Sequence, residues 1–386
     1  MVRTYSFSYR RRNPEMFPYV CDECRPERRF MEDSHKAQHD NMKHGVNEFE
    51  VQNMFYMYDH KIPTVSNNWA YKSSCSLGNM SASQLQTFVN KEIEPDTTYN
   101  SSCRAVVNRL YHFMQNNFPA KLRPSQVLKS GSLGKGTAVK GKSDADLVVF
   151  LSKFRSIPDL RDSLPNILET MKLYLGSYGE CIVEGVTSHA VKVSLSCHAN
   201  HTHNVDILPS VNILNRKANK DIYKAMSKES AYEREFYSAA LAPLQKKFVA
   251  GVPKKVKTLI QLVKYWRKTF FEESKGQQRL PSSYPLELIT IGEWEDAGSP
   301  ESFDLLNGFY QVLRAIKNYE NIQHAWNINY KADDFISDDD EFYVLDPANP
   351  FNNVMKACNC WDTVSDKAAE FLSMPLFYGL SSSAEW

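Results

Sequence analysis

The sequence has no long apolar run: its longest unbroken aliphatic and aromatic stretch is Leu147 to Leu151, against the roughly 20 residues of a membrane-crossing helix. The opening MVRTYSFSYRRR also lacks the apolar core of a secretory signal. An excess of one charge is missing too. With 46 Lys and Arg against 45 Asp and Glu, the net charge of +1 excludes a globally basic nucleic-acid coat. A polyanion would have to be held by a local patch. Cysteine is sparse, 8 in 386 residues, too few for a disulfide scaffold, and without an export signal these thiols are expected to stay reduced. Internal repeats and low-complexity tracts are absent. The expectation is a soluble, unsecreted cytoplasmic chain, with a nuclear pool allowed, of one large or two modest globular domains.

What is present is unevenly distributed. Residues 1–45 are basic, rich in His and poor in aliphatics, so they could not bury enough surface to fold unaided. Residues 46–80 are polar with no sustained period and read as a linker. From residue 81 the pattern tightens: Val106, Val107, Leu110, Phe113 and Met114 share one helical face after the capping residues Pro95, Asp96 and Thr97. ADLVVFLS, ECIVEGV, HAVKVSLSC and HNVDILPS are short β-rich runs with a helix expected over 160–177, and beyond Pro209 the chain reads as mainly helical. The expected fold class is therefore α+β, with a mixed-sheet lobe at 81–215 and a helical lobe at 216–386.

The most informative stretch is KSGSLGKGTAVKGKSDADLVVFLS, Lys129 to Ser152. Gly136 to Ser143 fits the expression G-x-x-x-x-G-K-[ST], but a phosphate loop needs a strand before it and a helix after it, and here the strand candidate follows. The carboxylates of Asp144 and Asp146 offer another chemistry. Residues two apart in a strand project on one face, about 6.5 to 7 Å apart, near enough for two magnesium ions. Upstream, the Gly131–Ser132 turn offers backbone N–H groups, Ser132 a hydroxyl and Lys135 a charge, all suited to phosphate. Asp206, in HNVDILPS, interrupts an apolar strand. Three carboxylates on neighbouring strands beside a Gly-Ser turn are what in-line nucleotidyl transfer requires.

The block G-S-x-G-K-G-T-x-x-x-G-x-S-D-A-D-L-V-V-F, with the later VDILPS, VKTLIQLVKYW, LPSSYPLELITI and YVLDPANPFNNV, resembles the 2′-5′-oligoadenylate synthetases of the polymerase-β-like nucleotidyltransferase superfamily. The likeness spans roughly residues 81–386. It implies a two-lobed nucleotidyltransferase fold and a magnesium-dependent enzyme that joins ATP into 2′-5′-linked oligoadenylates in innate antiviral signalling. Carried over by position, it makes Asp144, Asp146 and Asp206 the ligands of two magnesium ions, with Asp206 also the base toward the ribose 2′-hydroxyl. Gly131, Ser132 and Lys135 would meet nucleotide phosphates, Lys264 the donor triphosphate, and Tyr284 an adenine ring. Leu259, Leu262, Val263 and Trp266 form an apolar stripe on that helix, and Lys257, Lys264 and Lys268 point to a different face. Double-stranded RNA is the implied activator, with Lys129, Lys254 and Lys255 in the positions of phosphate-contacting lysines; scattered surface lysines are the bland alternative.

Two positions depart from the family pattern. Gln261 stands where an arginine is usual and Ser283 where a glutamine is usual, which removes a bidentate phosphate partner and a base-reading amide. A cyclic-dinucleotide synthase of the related cyclic GMP-AMP synthase-like type is the enzymatic alternative, and a catalytically silent RNA-binding member the non-enzymatic one. In the amino-terminal segment, Tyr19, Cys21, Cys24, Phe30, His39 and His44 have a spacing that resembles a C2H2 zinc finger. The zinc ligands would be Cys21, Cys24, His39 and His44, with His35 a rival for one position. The cluster Cys197, His198, His201 and His203 reads as a polar turn, and Asp338 to Glu341 as a solvated loop. Cys358 and Cys360 lack two obvious partners for a zinc site.

Overall fold

The computed structural model describes residues 19–21, 28–30, 77–95, 97–141, 145–196, 202–271, 277–337, 339–380 and 386. They fall into two units. The first contains Met1–Tyr71 with Ile336–Phe342, the second Lys72–Phe335 with Tyr343–Trp386. In the first, strand β1 (Tyr19–Cys21) pairs antiparallel with β2 (Arg28–Phe30), which sets Cys21 opposite Arg28. Cys24, His35, His39 and His44, and residues 46–76 of the expected linker, lie outside the described residues. The linker reading does not hold at its end, where Leu77 is fully buried and Gly78 packs against Met374.

The second unit opens with α1 (Ala82–Phe88), started by a reciprocal cap in which the Ser81 N–H donates to Gln84 Oε1 at 2.8 Å. It runs into a π turn over Val89–Ile93 and is followed by α2 (Thr97–Asn117). Val106, Val107, Leu110 and Met114 of α2 are buried at their helical spacing, as expected. A sheet of five strands follows. Its order is β3 (Pro124–Ser130), β4 (Ala145–Leu151), β7 (Thr202–Ser210), β6 (Val191–Ser196), β5 (Cys181–Val186). Only β4 and β7 run parallel; the other neighbours are antiparallel. A short helix, α3 (Gly131–Lys135), joins β3 to the loop before β4. That order, helix first and strand second, is the reverse of a phosphate loop. The crossover from β4 towards β5 is α4 (Ile157–Gly176), capped by Ser156 Oγ, which accepts from the Asp159 N–H at 3.2 Å.

Strand alternation sorts β4 between two faces. Leu147, Val149 and Leu151 join the main core with residues of α2 and α4, whereas Val148 and Phe150 pack with Ala242. Beyond the sheet come α5 (Asn219–Met226), α6 (Ala231–Glu235), α7 (Ser238–Gly251), α8 (Lys254–Phe270), α9 (Ser283–Asp296), α10 (Leu305–Lys317) and α11 (Trp361–Leu372). Leu259, Leu262, Val263 and Trp266 of α8 are fully buried. Lys264, on a different face of the same helix, is buried as well, 1% exposed. The region read as mainly helical also holds a small sheet of order β10-β9-β8, from β8 (Gln323–His324), β9 (Tyr343–Asp346) and β10 (Asn349–Asn353). Pro347 and Pro350 deny this stretch a helix, and its strands are too short to show a period.

Candidate active site

The parallel register of β4 and β7 sets Asp146 directly beside Asp206. Cross-strand partners share a sheet face. The row extends on both sides, with Ser130 of β3 opposite Asp146 and Lys192 of β6 opposite Asp206. Lys192 Nζ lies 3.5 Å from Asp206 Oδ2, with about half of the lysine side chain and a third of the aspartate exposed. Asp206 is therefore reachable from solvent, and Asp146 beside it is partly exposed. Asp144 lies outside the described residues. Two aspartates that sequence separates by sixty positions are thus brought together by one strand pairing.

The Gly-Ser bend abuts the same pair. Gly131 has φ +57°, a conformation that side chains rarely adopt, and a β-carbon there would overlap the Asp146 carboxylate. Only a hydrogen at this position lets the chain turn from β3 into α3 against the acid. Ser132, the next residue, is partly exposed. Gly136 closes α3 in the left-handed region, its predecessor Lys135 pointing inward.

Lys135 and Lys264 meet on one carboxylate. Lys135 Nζ donates to Glu287 Oε2 at 2.9 Å, Lys264 Nζ to Glu287 Oε1 at 3.0 Å, and Thr137 Oγ1 to the same Oε1 at 2.6 Å. Lys264 also donates to the Thr137 carbonyl at 2.9 Å. Burial would raise the Glu287 carboxyl, but attraction to Lys264 and Lys135 and the Thr137 bond hold it down at about 2. For Lys264, burial pushes the ammonium down and Glu287 only partly restores it. Both directions follow from one carboxylate serving two ammonium groups: the acid is over-compensated and the bases are under-compensated. Asp146, across the site, adds further negative charge that also acts on Lys264.

Tyr284, at the start of α9, is held at both ends. Lys135 Nζ sits 3.9 Å from the centre of its ring, and its hydroxyl donates to Asp346 Oδ1 at 2.9 Å. Asp346 is fully buried and rests on neutral donors; it accepts from the Ala348 N–H at 2.9 Å, Gln245 Nε2 at 2.7 Å and Asn352 Nδ2 at 3.3 Å. Burial pushes its carboxyl up, and these donors pull it back. Neither Glu287 nor Asp346 was singled out from sequence as a site residue. Each sits inside a stretch already informative for other reasons, LPSSYPLELITI and YVLDPANPFNNV, and an acid amid apolar neighbours is the signal that could have marked it, as it marked Asp206.

The remaining positions are dispersed in role. Gln261 Nε2 donates to the Ala138 carbonyl at 2.7 Å and is buried, so its amide is spent on the loop after α3. Ser283 opens α9 beside the capping position. Lys254 and Lys255 are exposed in the first turn of α8, Lys255 lying 5.1 Å from the Phe303 ring centre, and Lys129 Nζ is 3.4 Å from Asn108 Oδ1. Cys197, His198, His201 and Asp338 lie outside the described residues. Cys358 and Cys360 are both buried with sulfurs 4.0 Å apart, and burial pushes the Cys358 thiol up to about 12.

Comparison with known proteins gives this geometry relatives. A family profile described as 2′-5′-oligoadenylate synthetase 1, domain 2, C-terminus matches residues 216–386. The chain is 30% identical over 327 residues to 2′-5′-oligoadenylate synthase 1A of Mus musculus, covering 76% of this chain and 88% of that protein. It is 28% identical over 322 residues to 2′-5′-oligoadenylate synthase 3 of Mus musculus, where it spans only 28% of the relative's length. It spans 43% of synthase 2 from the same organism. Among solved structures, the CdnC:HORMA complex from E. coli MS115-1 superposes with TM-score 0.51 at 19% identity, covering 76% of this chain and 90% of that one. The structure of mtPAP in complex with GTP does so with TM-score 0.53 at 13% identity, covering 82% and 72%. At such identities these structures show the shared nucleotidyltransferase fold. Among the described residues no helix is long and apolar enough to cross a membrane.

Proposed function

This chain belongs to the 2′-5′-oligoadenylate synthase family, and on that premise we propose that it is a magnesium-dependent nucleotidyltransferase that joins ATP into 2′-5′-linked oligoadenylates with release of pyrophosphate. The observation that carries the reading is the register of Asp146 beside Asp206 with the Gly131 bend against Asp146. Hard carboxylate oxygens, partly exposed and adjacent, are a donor set that fits magnesium. Asp146 and Asp206, with Asp144 by the family resemblance, would hold it; when bound, the ions supply charge neutralisation at the transferring phosphate and acidify the attacking hydroxyl.

The chain's own residues do the rest. Asp206 takes the proton of the ribose 2′-hydroxyl. The Gly131–Ser132 backbone and Ser132 Oγ bind phosphate, and Lys135 and Lys264 exchange part of their hold on Glu287 for the triphosphate, which is favourable because two ammonium groups share one acid. Departure of Lys135 from the Tyr284 ring frees that face for adenine, where stacking is worth about 1–3 kcal/mol. Double-stranded RNA as activator, bound through Lys129, Lys254 and Lys255 by A-form shape, and a zinc-bound amino-terminal finger on Cys21, Cys24, His39 and His44 complete the proposal.

A second reading, cyclic-dinucleotide synthesis, is favoured by Gln261, whose amide is occupied by the Ala138 carbonyl where an arginine would reach phosphate. The test is incubation with labelled ATP alone and with ATP plus GTP, with and without duplex RNA, followed by linkage-specific nuclease digestion. Linear 2′-5′ products from ATP support the first reading, a GTP-dependent cyclic product replaces it with the second, and no product under any condition leaves the catalytically silent RNA-binding alternative.

A further inference from the structure

At the far end of α9 from Tyr284, a second cluster of ligating groups has no part in this chemistry. His324, on β8, is 6% exposed, and both of its ring nitrogens face carboxylates: Nε2 lies 3.1 Å from Glu293 Oε1 and Nδ1 lies 3.5 Å from Asp296 Oδ2. Glu293 and Asp296 are three residues apart and so share one helical face. One ligand atom from each of the three residues can be chosen so that all lie within 4.8 Å of one another. Gly292 makes the arrangement sterically possible, since a β-carbon there would run into the imidazole ring.

The charge of this cluster is not balanced. Among the described residues no lysine or arginine pairs with Glu293 or Asp296; their ion-pair contacts are with His324 alone. The last turn of α9 carries Glu293, Glu295 and Asp296 and no basic residue, although a helix carboxyl end already bears partial negative charge and favours cations. Glu295 is spoken for by Trp326 Nε1, which donates to Oε2 at 2.5 Å. A neutral imidazole has one N–H to offer two carboxylates, and a protonated one neutralises only half their charge.

We propose that Glu293, Asp296 and His324 form a binding site for a divalent transition-metal ion of the zinc type, separate from the magnesium site. One imidazole nitrogen and one oxygen from each carboxylate supply three ligands and water the fourth, the open arrangement of a three-ligand zinc site. A single ion takes only one imidazole nitrogen: Nε2, 3.1 Å from Glu293 Oε1, is close to the spacing of about 3.3 Å between ligand atoms of a tetrahedral zinc, whereas Asp296, which faces Nδ1, has to swing to the Nε2 side. Imidazole selects zinc-like ions over magnesium. Asp296, 72% exposed at its side chain, has the freedom to close over the ion. Bound there, the ion fastens the end of α9 to β8.

The test uses the full chain, stripped with a chelator, reloaded with zinc and dialysed, with bound zinc counted by atomic emission. Zinc in the cysteine-containing amino-terminal segment is common to all proteins compared, so the readout is the difference between wild type and Asp296→Asn, and between wild type and Glu293→Gln/Asp296→Asn. The proposal expects the double variant to hold one zinc fewer per chain and to lose the part of the zinc-dependent rise in Tm that wild type shows. Equal zinc content and equal Tm shifts in wild type and variants would mean an imidazolium–carboxylate triad only, and overturn it. Should the double variant fail to fold by circular dichroism, the exposed Asp296→Asn alone decides through at least a tenfold weaker zinc affinity, and unchanged affinity overturns the proposal.

Discussion

Replacing Glu287 by glutamine removes the single acid that two buried lysines share while keeping the side chain's shape. The side chains of Lys135, Lys264 and Glu287 are 7%, 1% and 2% exposed, so solvent cannot take over the lost charge. Breaking a buried pair by removing one partner costs about 3–5 kcal/mol. The depressed carboxyl gives an independent figure: a shift from the ordinary 4.5 to about 2 corresponds to roughly 3 kcal/mol of native-state stabilisation. A folded-state value below the unfolded one means that this stability is present above about pH 4.5 and is lost as pH falls through about 2. Urea unfolding followed by circular dichroism should therefore show Glu287→Gln less stable by about 3–5 kcal/mol at neutral pH. The gap to wild type should narrow between about pH 4.5 and about 2. Replacing the pair together, as Glu287→Leu with Lys264→Met, should recover part of the loss, because no uncompensated charge then remains at Lys264. A neutral-pH loss below about 1 kcal/mol, or a gap that stays constant through that acid range, refutes the shared-carboxylate account.

Other outcomes follow from the same geometry. Asp206→Asn should abolish nucleotidyl transfer in a labelled-ATP assay while leaving the circular dichroism spectrum and Tm within ordinary surface-variant scatter; retained turnover removes Asp206 from its assigned role. Gly131→Ala combines a positive φ with overlap on the Asp146 carboxylate, so it should cost about 1–3 kcal/mol in urea unfolding and most of the activity. Tyr284→Phe deprives the buried Asp346 of one of its donors, which should lower stability by about 1–3 kcal/mol. The same variant should leave nucleotide affinity nearly unchanged, since the ring that stacks is retained; a large rise in KM would assign recognition to the hydroxyl instead.

Local pattern carried far. The α2 stripe of Val106, Val107, Leu110 and Met114 was legible because a repeating apolar period is written within it, and the strand runs around Asp146 and Asp206 because short β-rich stretches are bounded there by polar and turn residues. The Gly131–Ser132 bend was legible because glycine and serine mark a turn. The β8–β10 sheet was not, because strands of two to five residues interrupted by proline are too short to establish a period. The partner of Lys264 was not legible for a related reason: helical spacing says which residues lie together on α8, yet a lysine faces inward only if an acid from elsewhere arrives to meet it, and Glu287 does so from α9.

By itself the sequence determined which chemical groups were available and which short elements would carry them: carboxylates on strands, a glycine-serine bend, lysines and a tyrosine on helices. Tertiary structure alone decided their company. It set Asp206 beside Asp146 through a parallel strand pair, gathered two lysines on Glu287, and turned two acids of the last turn of α9, Glu293 and Asp296, toward a histidine that arrives from β8. The physical reason is range. Periodicity and capping are satisfied within a turn or two of chain, whereas a buried charge is tolerable only when a partner distant in sequence is brought within a few ångströms by the fold.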